Sequence, residues 1–274
     1  MKILIAADME GVSGVTRWEE TDPIHKEYER FRRIMTDEVN AAIAGAIDAG
    51  ADEFVVADGH RDGTNILIEG LDARARLNSG GTSPYSMIQG VDPETAGLLF
   101  IGYHARGGSQ NAVLAHTWSS RQIANVWLNG VLVGEYGLNA AVAGHFNVPV
   151  LMISGDQTAC AQAVELLGPL EIAVVKQASG FFSAECLALK VTLPMISNAA
   201  RRAVLRLKEG SAARPFIVQT PVTVAIEFRQ PEAADRAVLL PGAKRLDSLL
   251  IELTVPDMLT AQAGFRAAVK LSFD

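Results

Sequence analysis

Two carboxylates, Asp8 and Glu10, stand two residues apart directly after the apolar run Ile3-Leu4-Ile5. A run that short and rich in β-branched residues reads as a buried strand. In an extended chain, residues i and i+2 leave the same face, and Gly11 and Gly14 then release the backbone into a loop. Two acids this close disfavour joint ionisation, so either a cation sits between them or one holds a proton. The plainer alternative has Asp8 capping a turn and Glu10 facing water. Two later apolar runs end in the same kind of side chain. Phe54-Val55-Val56-Ala57 leads into Asp58-Gly59-His60, and Leu98-Leu99-Phe100-Ile101-Gly102-Tyr103 leads into His104.

In open α/β sheets ligands bind at the carboxyl ends of the strands. Strand ends from distant parts of the chain therefore meet there. A lone histidine at a strand end is most often a satisfied structural residue. Two histidines beside an Asp-x-Glu pair reverse that reading. Imidazole and carboxylate without thiolate suit Zn²⁺ or another first-row divalent metal. Asp8, Glu10, His60 and His104 exceed what one catalytic zinc needs, since such a site keeps a position open for water; the excess of carboxylates points to two ions bridged by one of them. Glu135 follows Gly134 at a helix start in an otherwise apolar stretch. It is either a further ligand or an acid favoured by the helix dipole.

The elements that must position these residues alternate. A helical pattern runs from Phe31 through Ile47 and stops at Gly50. The segment from Arg61 to Thr95 is a long excursion with a little strand near Ala75-Arg76-Leu77. His116 sits in a short strand-like piece between Ala112 and Thr117, after the Gly107-Gly108 loop and close to Trp118. Asn125 to Val133 reads as a hairpin, because Asn129-Gly130 is the strongest short turn signal. A helix from Glu135 through His145, a strand from Val148 to Ile153, a helix from Thr158 to Leu167 and a strand from Ile172 to Val175 follow. This alternation predicts an α/β fold with a mostly parallel central sheet and helices on both faces. A helix from Met195 to Lys208, strands at 222–228 and 248–255 and a helix after each predict a smaller C-terminal α+β domain. The expected division is a metal-binding catalytic domain over 1–190 and the smaller domain over 191–274.

Composition excludes several classes. The 274 residues are 49% hydrophobic and 20% charged, enough apolar content for a large core and too much for disorder. The net charge of −7 and the lack of a basic cluster beyond Arg30-Arg32-Arg33 and Arg201-Arg202 argue against nucleic acid as a partner. No stretch of 18 uncharged apolar residues is present, so no membrane span is expected. The N-terminus lacks a signal-peptide pattern, so the expected location is cytoplasmic. Cys160 and Cys186 both fall in helical patterns and read as small buried apolar side chains.

Asp8-Met9-Glu10-Gly11, Asp58-Gly59-His60, Gly102-Tyr103-His104, His116-Thr117, Gly134-Glu135-x-x-x-Asn139 and Ser154-Gly155-Asp156 occur in this order. Together they resemble the D-aminopeptidase family of zinc peptidases, over essentially the whole chain up to about Leu189. The resemblance implies that Asp8, Glu10, His60, His104 and Glu135 hold two zinc ions, with Asp8 as the bridge and His116 as the catalytic histidine. It implies that Asp58 is not a ligand and instead orients a neighbouring histidine. It also implies a two-domain α/β protein acting on short peptides with D-amino acid N-termini. Such a protein would assemble as a ring-like homo-oligomer, such as a decamer, with its active sites facing an internal space.

The chemistry would be attack of a metal-acidified water on the first peptide bond, with His116 donating to the oxyanion or to the leaving amine. A carboxylate or a metal would hold the free α-amino group. A structural histidine paired with a backbone group is the alternative for His116. For the protein, the alternatives are a dinuclear metallohydrolase acting on another amide or a phosphate ester, and a binding protein that keeps its metals as structure. A phosphate reader would show a basic or Gly-rich cradle, for which Arg106-Gly107-Gly108 is the one weak candidate.

Overall fold

A computed structural model of the chain describes residues 1–81 and 83–273. Seven strands form the main sheet: β1 (Lys2–Ala7), β2 (Glu53–Asp58), β3 (Ala75–Asn78), β4 (Thr95–Tyr103), β7 (Val150–Asp156), β8 (Glu171–Gly180) and β9 (Ser183–Cys186). Their order is β3-β2-β1-β4-β7-β8-β9, with only the β8–β9 pair antiparallel. The chain winds outward from β1 in one direction and from β4 in the other. The crevice between the carboxyl ends of β1 and β4 is therefore the topological switch point, where this class of sheet binds its ligands.

The alternation of side chains along β1 divides the core. Ile3, Ile5 and Ala7 pack under α1 (Tyr28–Asp48) and α4 (Leu189–Lys208). Leu4 and Ala6 pack toward α2 (Glu135–His145), α3 (Gln157–Leu167) and a second sheet. Both faces of the parallel sheet are covered, which is why its strands read as continuous apolar runs.

The second sheet has the order β11-β12-β10-β5-β6, built from β5 (Ile123–Leu128), β6 (Val131–Val133), β10 (Val222–Phe228), β11 (Lys244–Arg245) and β12 (Leu250–Val255). α5 (Pro231–Ala237) and α6 (Met258–Ser272) pack on it. Asn129 and Gly130 both have positive φ, at 46° and 79°, the geometry of the expected hairpin turn. The hairpin, however, pairs with β10 rather than with the main sheet. The second unit is thus assembled from 123–133 and 222–272, and α4 lies on the main sheet against α1. This cuts across a division at residue 190.

Three local expectations need correction. The long helix begins at Leu189 rather than Met195, with Pro194 inside it. Cys186 lies on β9 and is exposed, whereas Cys160 is buried in α3, where burial pushes its thiol up. His116 stands in an irregular loop, not in a strand-like piece.

α1 also buries an acid. Glu38 is fully enclosed; one oxygen accepts the Ser13 N–H at 2.9 Å, and the other has no partner among the described residues. Burial pushes its carboxyl up to about 7, with the Ser13 contacts pulling the other way. The unfolded value is about 4.3. The folded state therefore binds this proton more tightly, and the stability it contributes is lost as pH rises through about 7. Glu38→Gln keeps an acceptor for Ser13. It is expected to melt with the parent at about pH 4, below the unfolded value, and above the parent at about pH 8, as paired thermal melts would show.

Candidate metal centre

Glycine lets β1 and β4 deliver their residues to one point. Past its end, β1 remains bonded to β4, with the Asp8 N–H donating to Ile101 O at 2.8 Å and the Gly11 N–H to Gly102 O at 2.7 Å. A Cβ on Gly11 would lie 1.9 Å from Tyr103 O. Gly102 has a φ of +72°, and a Cβ there would lie 2.3 Å from Asp8 O. The Ser154 hydroxyl accepts the Gly102 N–H at 2.9 Å and holds this bend from β7. Beneath the loop, the buried Lys176 of β8 donates to the carbonyls of Glu10, Val12 and Val15 at 2.6, 3.0 and 2.7 Å. Burial pulls its ammonium down to about 8, against the pull of Asp156.

Asp8, Glu10, His60, His104, His116 and Glu135 are all buried and all meet here. His60 Nδ1 is 3.4 Å from Asp8 Oδ1 and 3.1 Å from Glu10 Oε2. His104 Nε2 is 3.4 Å from Asp8 Oδ2 and 3.2 Å from Glu135 Oε1. His116 Nε2 is 3.8 Å from Glu135 Oε1, and its ring stacks on His104 with centroids 4.1 Å apart and planes 9° apart. Trp18 meets the His116 ring edge-on at 5.4 Å.

The outer nitrogen of each imidazole is engaged by a main-chain carbonyl: Thr21 O for His60 at 2.8 Å, Ala105 O for His104 at 3.0 Å and Leu114 O for His116 at 2.8 Å. Donation there fixes the tautomer and turns the other nitrogen's lone pair inward, the usual support for a metal-binding histidine. Glu135 caps nothing with its side chain. Its Oε1 accepts the Trp118 N–H at 2.7 Å and turns toward His104, so the helix-dipole reading is not the one the geometry favours.

The electrostatics show what this packing costs. Burial, with Glu10 alongside, pushes the Asp8 carboxyl up to about 7 against the pull of His60 and His104. Burial also opposes ionisation of Glu10, but His60, His116 and His104 together hold it well below the usual carboxylate range. Burial disfavours charge on His60 and His104. Glu10 and Asp8 around the first, and Glu135 and Asp8 around the second, outweigh it. His60 is raised well above its usual value and His104 to about 10. His116 moves the other way, lowered by burial and then by His104.

These residues fit divalent cations. Asp8 Oδ2 is buried with no hydrogen-bond partner among the described residues. Asp8, Glu10 and His104 offer ligand atoms within 4.8 Å of one another, as do His104, His116 and Glu135. Metal ions would replace the protons that now balance the carboxylates, and binding would release them.

Asp58 takes no part in the cluster. Its carboxylate accepts from the Asn65 N–H and side chain and from the Ile66 N–H, and Asn65 in turn donates to His60 O. It orients His60 through the backbone of the 60–66 loop rather than through the ring. Asp156 does the same for the His116 loop: Oδ1 caps α3 at Thr158 and Ala159, and Oδ2 accepts the Val113 N–H at 2.9 Å. The backbone partners Thr21 O, Leu114 O and Trp118 N–H leave no trace in residue types, and sequence reasoning missed them. Lys176 carried a faint signal, a lysine in an apolar strand.

Comparison with known proteins was decisive. The family model described as D-aminopeptidase matches residues 1–267. The chain belongs to the D-aminopeptidase family. The D-aminopeptidase of Bacillus subtilis (strain 168) is 34% identical over 273 residues, covering 99% of this chain and 98% of that protein. A solved structure, the Zn-dependent D-aminopeptidase DppA from Bacillus subtilis, described as a self-compartmentalizing protease, superposes with a TM-score of 0.95 at 34% identity, covering 99% of this chain and 98% of that one. The backbone is therefore kept nearly unchanged at this identity.

Gly11→Ala tests the crossing that brings the D-aminopeptidase residues together. The added carbon must push the end of β4 away, at a cost of about 1–3 kcal/mol. Because His104 follows that segment, bound metal is expected to fall with the melting temperature, as elemental analysis and calorimetry on one preparation would show.

Proposed function

We propose that this chain is a zinc aminopeptidase that releases the N-terminal residue, of D configuration, from short peptides. The observation that carries the reading is the set of three imidazoles, each locked outside by a main-chain carbonyl and each facing buried carboxylates inside, with one oxygen of Asp8 left without a hydrogen-bond partner among the described residues. Membership in the D-aminopeptidase family supplies the reaction. Against the phosphate-ester alternative, the Arg106 side chain of the Gly-rich candidate is engaged with Tyr136.

Asp8, Glu10 and His60 would hold one zinc ion, and Asp8, His104 and Glu135 a second. The two oxygens of Asp8 face two different imidazoles, which supports Asp8 as the bridge. Bound zinc supplies an acidified water and polarises the substrate carbonyl. The chain's own residues do the rest.

His116 is the catalytic residue of this reading. Its Nδ1–H is committed to Leu114 O, and burial beside His104 keeps the ring neutral, so Nε2 presents a lone pair. His116 is therefore set to take the proton of the attacking water at Nε2 and pass it to the leaving amine nitrogen. Donation to the oxyanion would require that proton first. Leu114, at a φ of 49°, is left-handed, and this turn is what folds its carbonyl back onto the ring two residues on.

Assembly follows from the same reading: the chain forms a ring-like homo-oligomer. Support comes from the self-compartmentalizing relative and from Phe181, Phe182 and Val191, large apolar side chains left in solvent around the β8–β9 turn. Among the described residues no helix is long and apolar enough to cross a membrane.

Paired dipeptides differing only in the chirality of the N-terminal residue test the function. Hydrolysis of the D form by protein carrying about two zinc ions per chain is expected, and full metal occupancy without turnover on either would make it a metal-containing binding protein. His116→Ala is expected to keep its zinc and its KM while kcat falls by about 10²–10⁴-fold. Loss of zinc from that variant would make His116 a ligand instead.

A further inference from the structure

The cavity over the cluster is larger than the chemistry requires, at about 1560 Å³, and one wall comes from the second unit. Thr260, Ala263, Arg266, Ala267 and Lys270 of α6 line it, at the spacing of a single helix face. Arg266 is half-buried there, and no acid acts on its charge; burial alone bears on it. Its Nη1 donates to Ser83 O and Pro84 O, at the cavity edge, while Nε and Nη2 have no acceptor among the described residues. A half-buried guanidinium without a carboxylate, with part of its donor fork unused, suits an anion.

Trp118 bridges the cluster and α6: its main-chain N–H is on Glu135 Oε1, and its indole meets the Phe265 ring edge-on at 5.1 Å, one residue before Arg266. The cavity that holds the cluster also presents Arg266 and, a turn further on, Lys270. A short peptide lying in it would set its C-terminal carboxylate against that basic pair.

We infer that Arg266 binds the free C-terminal carboxylate of a short peptide substrate, so that the enzyme selects for a free C-terminus as well as for the N-terminal residue. The inference rests on the aminopeptidase reading. Arg266 is a specificity residue in it, remote from the bond that breaks.

The test compares D-alanyl-glycine with D-alanyl-glycinamide on the zinc-loaded protein and on Arg266→Gln and Arg266→Lys. The parent is expected to favour the acid by about 10- to 100-fold in kcat/KM, the worth of a charge-assisted hydrogen-bond pair. Arg266→Gln is expected to lose that preference through KM on the acid alone, and Arg266→Lys to keep part of it. A parent that cleaves acid and amide equally overturns the inference without needing any variant. So does an Arg266→Gln enzyme that loses both activities in proportion, which would make Arg266 only a clamp on the 83–84 segment. A zinc-loaded parent that cleaves neither peptide overturns the aminopeptidase reading itself, and this inference with it.

Discussion

Three carboxylates share one dry enclosure, and the rest of the molecule is arranged so that they can. Asp8, Glu10 and Glu135 are almost wholly withdrawn from water, where like charges repel without solvent to screen them. Three imidazoles interleave with them, and a buried lysine anchors from below the loop that carries two of them. Each imidazole leans on a main-chain carbonyl, so none can swing away to relieve the strain. An unbalanced arrangement of this kind persists only where the fold over-determines it. The conformations nearby bear this out: Asn111, Leu114 and Trp118 all adopt left-handed backbone within the loop that carries His116.

Rigidity at the cluster comes from strand ends and glycine, not from bulk. Gly11 and Gly102 let two backbones pass at a separation that no side chain tolerates, and Ser154 and Asp156 on the next strand fasten the bends on either side. The short motifs along the chain thus divide into residues that meet in the buried cluster and residues that hold the turns. Asp58 belongs to the second group, since it fixes the peptide unit behind His60 and leaves the ring alone.

Much of this was legible in the sequence. Apolar runs ending in acids and histidines placed the main sheet and the switch-point residues, because a parallel strand buried on both faces cannot be read as anything else for long. Asn129-Gly130 gave the hairpin, because that turn needs two left-handed residues. What stayed hidden was carried by groups common to every residue. The carbonyls of Thr21, Ala105 and Leu114 and the N–H of Trp118 decide which way each functional side chain points, and no residue type announces them. Cys186 was misjudged because a four-residue edge strand has too short a period to tell from the start of a helix. The partner of the hairpin was also out of reach: β10 lies almost a hundred residues further on, and only the three-dimensional register joins Val126 to Ile226.

That long-range pairing has a consequence for descent. The hairpin interrupts the path from His104 to Glu135, yet its hydrogen-bonding edge is completed by β10. Recombination between two relatives with a crossover anywhere from α2 to the end of α4 would marry one parent's hairpin to the other parent's β10 and α6. The mismatch would be felt at Trp118, where the hairpin approach, Glu135 and Phe265 touch. The wall contributed by α6 is therefore tied to the hairpin through β10 and cannot be exchanged as an independent cassette.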